Sequence, residues 1–126
     1  MATMQGTSGV ETRETGDLIA SDKVEGTAVY GSNGQRLASI QRVMIGKRDG
    51  KVAFAVMSFG GFLGIGEHFY PIPWSALTFN ERLGGYVVPN FTEQKLKGAP
   101  KFGATDAWDW SDWNRLRQVS GYWTGP

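Results

Sequence analysis

His68 is the sole histidine in a chain of 126 residues, and it is the first place to look for reactive chemistry. It follows Glu67 and a glycine-rich run, and Ser58, Ser75 and several aspartates supply the other members of a hypothetical triad. A serine nucleophile of that kind sits on a Gly-x-Ser-x-Gly elbow, and no such elbow occurs. A zinc site at His68 would have to be completed by carboxylates alone, and none stands beside it at i, i+4 helical spacing. Glu67 and His68 therefore read as a solvent-facing junction between loop and strand. The chain has no cysteine, which excludes disulfides, thiolate zinc sites, iron–sulfur clusters and thiol nucleophiles together.

The run Gly60-Gly-Phe-Leu-Gly-Ile-Gly66 invites comparison with a phosphate-binding loop. Its spacing is not Gly-x-Gly-x-x-Gly, no Lys-Ser or Lys-Thr follows, and the next element is a strand broken by Pro71 and Pro73. Such anion sites need a helix N-terminus after the loop. The run reads instead as a wide β-turn. Its apolar members Phe62, Leu63 and Ile65 either fold back onto the domain or stay exposed and grip a partner. Asp106, Asp109 and Asp112 lack the glycine and terminal glutamate of a calcium loop, so they read as a solubilising face or helix N-terminal charge. Lys47, Arg48 and Lys51 crowd one turn without interleaved aromatics, which reads as a solvated hairpin rather than a nucleic-acid platform. A net charge of +1 likewise argues against a broad polyanion-binding surface, and DNA binding is not expected. No catalytic residue, cofactor or metal site is assigned.

The elements that would position these residues are short. Glycine contributes 18 residues, which points to many tight turns and hence to strands. Hydrophobic residues make up 40%, enough for a buried core in one domain. Residues 1–17 have little to bury and read as a disordered arm. A strand over 26–30 leads into the Asn33-Gly34 turn, and a second strand runs from 36 to 46. In that strand Ala38 and Ile40 share one phase, while Val43 and Ile45 share the other. A period-2 element cannot keep all four on one face, so a β-bulge is expected near Gln41 and Arg42. After the Asp49-Gly50 turn, the strand over 51–59 is apolar on both faces. The larger set, Val52, Phe54 and Val56, is expected to fill the interior. The smaller set, Ala53, Ala55 and Met57, is expected to lie under a tail or a second copy. A strand over 68–72, a helical turn at 74–77 and a hairpin from 77–79 and 85–88 complete an all-β pattern.

Beyond residue 90 the pattern changes. Thr92 caps a short helix over 93–97, stopped by Gly98 and Pro100. Residues 101–105 read as a linker. The tail then carries Trp108, Trp110, Trp113 and Trp123, four of the five tryptophans. Trp113, Leu116, Val119 or Ser120, and Trp123 follow helical spacing, so an amphipathic helix over about 111–120, capped by Ser111, is expected. Four tryptophans on one small surface would be sticky. They either dock on the β domain or form a self-association or partner surface.

The stretch from Lys51 through the glycine loop to Trp74 resembles the PRC-barrel family. The upstream residues from Gly26 to Val43 and the downstream Leu96-Lys-Gly-Ala-Pro100 fit the same family, with Ala38 standing where a glycine is expected. The resemblance covers about residues 18–102 and implies a mainly β fold, a small barrel of about six strands; the Trp-rich tail over 103–126, with its short helix, lies beyond it. The family is similar to the cytoplasmic domain of the photosynthetic reaction centre H subunit and to the C-terminal domain of the ribosome maturation factor RimM. Those relatives carry additional pieces, a membrane helix in one and a further domain in the other, so neither function is carried over whole. What the resemblance implies is a non-enzymatic protein-binding or scaffold module that docks on a larger assembly. A peripheral place on a photosynthetic or electron-transfer membrane complex, and a role in RNA or ribosome assembly, are the alternatives. No run of roughly 18 apolar residues is present, so membrane contact is expected only through a partner. The arm has no apolar core of a secretory signal, and a cytoplasmic location is the expectation. The apolar surface exceeds what one small barrel needs to cover, which favours a homodimer. The candidate interaction surface is Phe62, Leu63, Ile65, Trp108, Trp110, Trp113 and Trp123.

Overall fold

The computed structural model describes residues 9–59 and 68–125. Phe62, Leu63 and Ile65 lie outside them. Residues 9–17 carry no helix or strand and are exposed, and Lys23 Nζ donates to the carbonyl of Thr12 at 3.2 Å. One helical turn follows, α1 (Ser21–Val24), with Val24 buried. The strands β1 (Ala28–Gly31), β2 (Arg36–Ile45) and β3 (Val52–Ser58) then form an antiparallel meander. At the β1–β2 turn, Asn33 Oδ1 accepts the N–H of Gln35 at 2.9 Å. At the β2–β3 turn, Gly50 adopts φ 72° while Asp49 Oδ1 accepts the N–H of Lys51, the local bonding that makes Asp-Gly a hairpin signal. β4 (His68–Pro73) pairs with β3, and a single 3-10 turn (Trp74–Ala76) leads to the hairpin β5 (Thr78–Asn80) and β6 (Gly85–Val88). β6 returns to lie parallel to β1.

The expected bulge is present. Ile40 opposes Met57 and Arg42 opposes Val56, so Gln41 has no partner of its own in the ladder. This resets the side-chain phase: Ile40 before the bulge is fully buried, and Val43 after it packs on the same core. Ser58 is the buried polar residue of β3, and Gln41 Nε2 reaches its hydroxyl at 2.7 Å.

Three expectations are corrected. First, seven strands form, not six, in the order β5-β6-β1-β2-β3-β4-β7, and no pairing joins β5 to β7 among the described residues. The sheet is mainly β as expected but is not closed into a barrel. The end strands have three and two residues, and each pairs along one edge, β5 with β6 and β7 with β4. The extra strand, β7 (Phe102–Gly103), occupies the stretch read as linker, because two residues carry no periodicity to detect. Second, the faces of β3 are exchanged. Ala55 and Met57 sit in the core at 0% exposure, whereas Val56, though buried, lines the groove on the other side, and Phe54 stays half-buried against the edge of the core, where it meets Trp110. Ile40, Tyr70, Ile72 and Val88 already fill the interior, so only small or flexible side chains fit from β3. Third, the C-terminal helix α3 (Trp113–Thr124) is displaced and longer than expected. Its cap is Asp112, whose Oδ1 accepts the N–H of Arg115 at 3.2 Å. Ser111 instead donates its hydroxyl to Asp109 Oδ1.

The short helix α2 (Glu93–Lys97) forms where expected, with Thr92 Oγ1 accepting the N–H of Lys95 at 3.0 Å. α2 and α3 close the core. Leu96, Ala99, Val119 and Trp123 join the buried cluster built by β1–β4 and β6. The Trp123 indole N–H donates to the carbonyl of Pro71 on β4 at 3.0 Å, and the Tyr122 hydroxyl donates to the carbonyl of Lys95 at 2.6 Å.

Candidate interaction surface

The face of β2–β3–β4–β7 turned away from the core carries a groove lined by half-buried apolar residues and the buried Val56. Alternation along the strands brings Met44, Val56 and Phe69 to this face, opposite Val43, Ala55 and Tyr70. Phe102 joins them from β7, because β7 pairs with β4 at the Phe69–Phe102 register. At the bulge, two successive side chains, Gln41 and Arg42, line the same groove, as the extra residue of a bulge permits. Trp110 from the tail completes a groove of about 300 Å³.

A run of five rings crosses this face. Phe69 lies 5.6 Å from Phe102, and Phe102 stacks on Trp108 at 4.9 Å and 25°. Trp108 meets Trp110 edge-on at 5.8 Å, and Trp110 meets Phe54 at 5.7 Å. Offset and edge-on pairs of this kind are worth about 0.5–1.5 kcal/mol each beyond the area they bury. The rings therefore hold the segment between β7 and α3 against the sheet without a backbone ladder. The Arg115 guanidinium lies 5.0 Å from the centre of the Trp108 ring, which fixes the start of α3 to the same cluster. The Trp108 indole N–H is buried and has no acceptor among the described residues.

Electrostatics on this face are simple. Arg42 is the charged residue that lines the groove, and its Nη1 contacts Glu25 Oε1 at 3.2 Å and donates to the carbonyl of Gln41. Asp109 stands beside Trp108 and Trp110 in sequence. Its carboxyl is held below the usual range by hydrogen bonds from the Ser111 hydroxyl and N–H, with a smaller contribution from the Arg115 charge. Among the described residues, no group of three or more His, Cys, Asp and Glu is gathered as a metal site.

The four tail tryptophans separate. Trp123 is 5% exposed and belongs to the core, so it is not available on the surface. Trp108 and Trp110 are half-buried in the ring cluster. Trp113, expected on the apolar stripe of α3, is 71% exposed. The Asp112 cap makes Trp113 the first helical residue, and the buried stripe is Leu116, Val119 and Trp123. Phe62, Leu63 and Ile65 cannot be placed, because they lie outside the described residues. Met44, Phe69, Phe102 and Arg42 were not singled out from sequence. The signal that could have found Arg42 is the bulge itself, since a polar Gln41-Arg42 pair inside an apolar strand must be turned outward together. His68 is exposed and pairs in the ladder with Gly103.

A search of the curated proteins found no match. A family model described as PRC-barrel domain matches residues 16–95. This match spans β1 to β6, the bulge and most of α2, and leaves β7, the ring cluster of the tail and α3 beyond its end. With nearly two thirds of the sequence and six of the seven strands inside the match, the chain belongs to the PRC-barrel domain family.

Proposed function

We propose that this chain is a non-enzymatic protein-binding or scaffold module that docks on a larger assembly or on a second copy of itself. The observation that carries this reading is the outer face of β2–β3–β4–β7. There an apolar groove whose lining includes Arg42 lies beside a ring cluster; separately, Trp113 is 71% exposed at the start of α3. Arg, Trp and other aromatic residues dominate protein interfaces, where a few anchors supply most of the binding energy. PRC-barrel domains are in general non-catalytic modules, which agrees with this assignment. Among the described residues no helix is long and apolar enough to cross a membrane, and a cytoplasmic setting in which any membrane contact runs through a partner belongs to the same proposal.

The test is affinity capture from the native host with the tagged chain, in parallel with a Trp113→Ala, Met44→Glu double variant whose thermal unfolding is checked first, with captured proteins identified by mass spectrometry. The expected result is one or a few proteins, or untagged copies of the chain, retained by the wild type and lost from the double variant. Light scattering on the purified chain reports self-association separately. A monomer at micromolar concentration that captures nothing sensitive to the double variant would remove the proposal.

A further inference from the structure

We infer that the outer groove takes an extended acidic peptide segment, with an apolar side chain seated between Val56, Phe69 and Trp110 and a neighbouring carboxylate on Arg42. The inference rests on the protein-binding reading above and names the partner's chemistry. The floor of the groove is apolar, built by Met44, Val56, Phe69 and Trp110. Arg42 is the charged residue of its lining, and among the described residues no carboxylate lines it. An apolar floor with a single cation complements a side chain and an adjacent carboxylate. A nucleic acid would require several clustered cations along its backbone, and a cation would be repelled. The volume of about 300 Å³ is at the small end for a ligand cleft. It suits neighbouring side chains of a strand-like segment and not a helix, which is about 10–12 Å across.

Arg42 is already occupied in a way that shows what it would bind. Its Nη1 lies 3.2 Å from Glu25 Oε1, and both side chains remain well exposed, at 68% and 41%. An exposed pair of this kind contributes little to folding. Glu25 therefore acts as an exchangeable internal carboxylate on the guanidinium. An incoming acidic residue would replace it, using the planar fork that suits carboxylates. Gln41 donates to Ser58 through Nε2, which leaves its side-chain carbonyl at the groove wall to accept from a peptide N–H.

The experiment is selection from a random peptide library displayed on phage against the full chain. The most enriched peptide is then synthesised and titrated into wild-type, Arg42→Gln, Arg42→Glu and Glu25→Gln proteins, whose thermal unfolding is checked first. The expected peptides carry Asp or Glu within a residue or two of Leu, Ile, Met or Phe. Arg42→Gln should weaken binding about fivefold, and Glu25→Gln should strengthen it about twofold to fivefold, the range for exposed charge pairs. Arg42→Glu should prefer the same peptide with its acidic residue changed to Lys, a reversal that loss of local structure would not produce. Met44→Glu should weaken binding without touching Arg42. Enriched peptides without an acidic residue, or affinity unchanged by Arg42→Gln, overturn the inference and leave the protein-binding reading standing. An empty selection beside a successful affinity capture overturns this inference alone. Empty results in both overturn both.

Discussion

Trp123→Phe is the substitution that tests whether the tail is an integral part of the domain. Trp123 lies beyond the 16–95 family match, yet it is 5% exposed, meets Phe91 edge-on at 5.4 Å, and donates its indole N–H to Pro71 O at 3.0 Å. Phenylalanine keeps an aromatic ring against Phe91 and removes the donor. Leaving a buried carbonyl short of a partner costs about 1–3 kcal/mol. The smaller ring adds about 1 kcal/mol at the usual penalty per unit of residual cavity volume. The expected loss is therefore about 2–4 kcal/mol, a large part of the roughly 5–15 kcal/mol that stabilises a domain. Urea unfolding followed in parallel by tryptophan fluorescence and far-ultraviolet circular dichroism reads it directly. With a slope of about 1–3 kcal/mol per molar for a small protein, the midpoint should fall by about 1–2 M at unchanged slope. A stability within about 0.5 kcal/mol of wild type would refute the reasoning. So would an early transition in which α3 melts while the sheet unfolds at its original midpoint, since both would show that α3 is not part of the cooperative unit.

Other consequences can be measured with the same assay. A Cβ at Gly85 would lie 2.5 Å from Ala28 O and 2.9 Å from Tyr30 Cε2, so Gly85→Ala should force β1 and β6 apart. A loss of about 1–3 kcal/mol is expected from such overpacking, and an unchanged midpoint would contradict the close approach. Asp112→Ala removes the acceptor at the start of α3 and should cost about 1 kcal/mol, with Asp112→Asn restoring most of it. Tyr70 and Tyr86 are held above the ordinary tyrosine value of 10.0, in both cases chiefly by burial. The Glu14 charge adds to the shift at Tyr86, and the Lys97 charge opposes it at Tyr70. A raised folded-state pKa means that the unfolded chain ionises first. Stability should therefore be fully present below about pH 10 and fall as pH rises beyond it. Thermal unfolding across that range, with phenolate absorbance recorded alongside, checks the sign; a midpoint that rises above pH 10 would contradict it.

Part of this molecule was readable one residue at a time. The bulge at Gln41 followed from a phase conflict within a single strand, a local contradiction that only an extra residue resolves. The turns at Asn33-Gly34 and Asp49-Gly50 and the Thr92 cap followed from side chains that bond their own backbone, so no distant residue could alter them. The stripe of Leu116, Val119 and Trp123 followed from helical spacing. Its first member was misread, because the choice between Ser111 and Asp112 as cap turns on a hydrogen bond to Asp109.

Other decisions belonged to the tertiary structure. Both faces of β3 are apolar, and nothing within residues 52–58 ranks one above the other. The volume left by Ile40, Tyr70, Ile72 and Val88 made the choice, sending Ala55 and Met57 inward. Closure of the sheet was decided at its two ends, where β5 and β7, strands of three and two residues, do not pair with each other among the described residues. The groove draws on β2, β3, β4, β7 and the tail, segments up to about seventy residues apart in the chain. Its members share no motif because what unites them is a common face of one sheet, and strand order, bulge and tail docking must all be set before that face exists. Sequence alone determined the six longer strands, α2 and the family, since those rest on local bonding and periodicity, whereas β7 and the bounds of α3 did not follow from it. Which tryptophan is buried, which face of β3 is inside and where Arg42 points were decided only when distant segments competed for one volume.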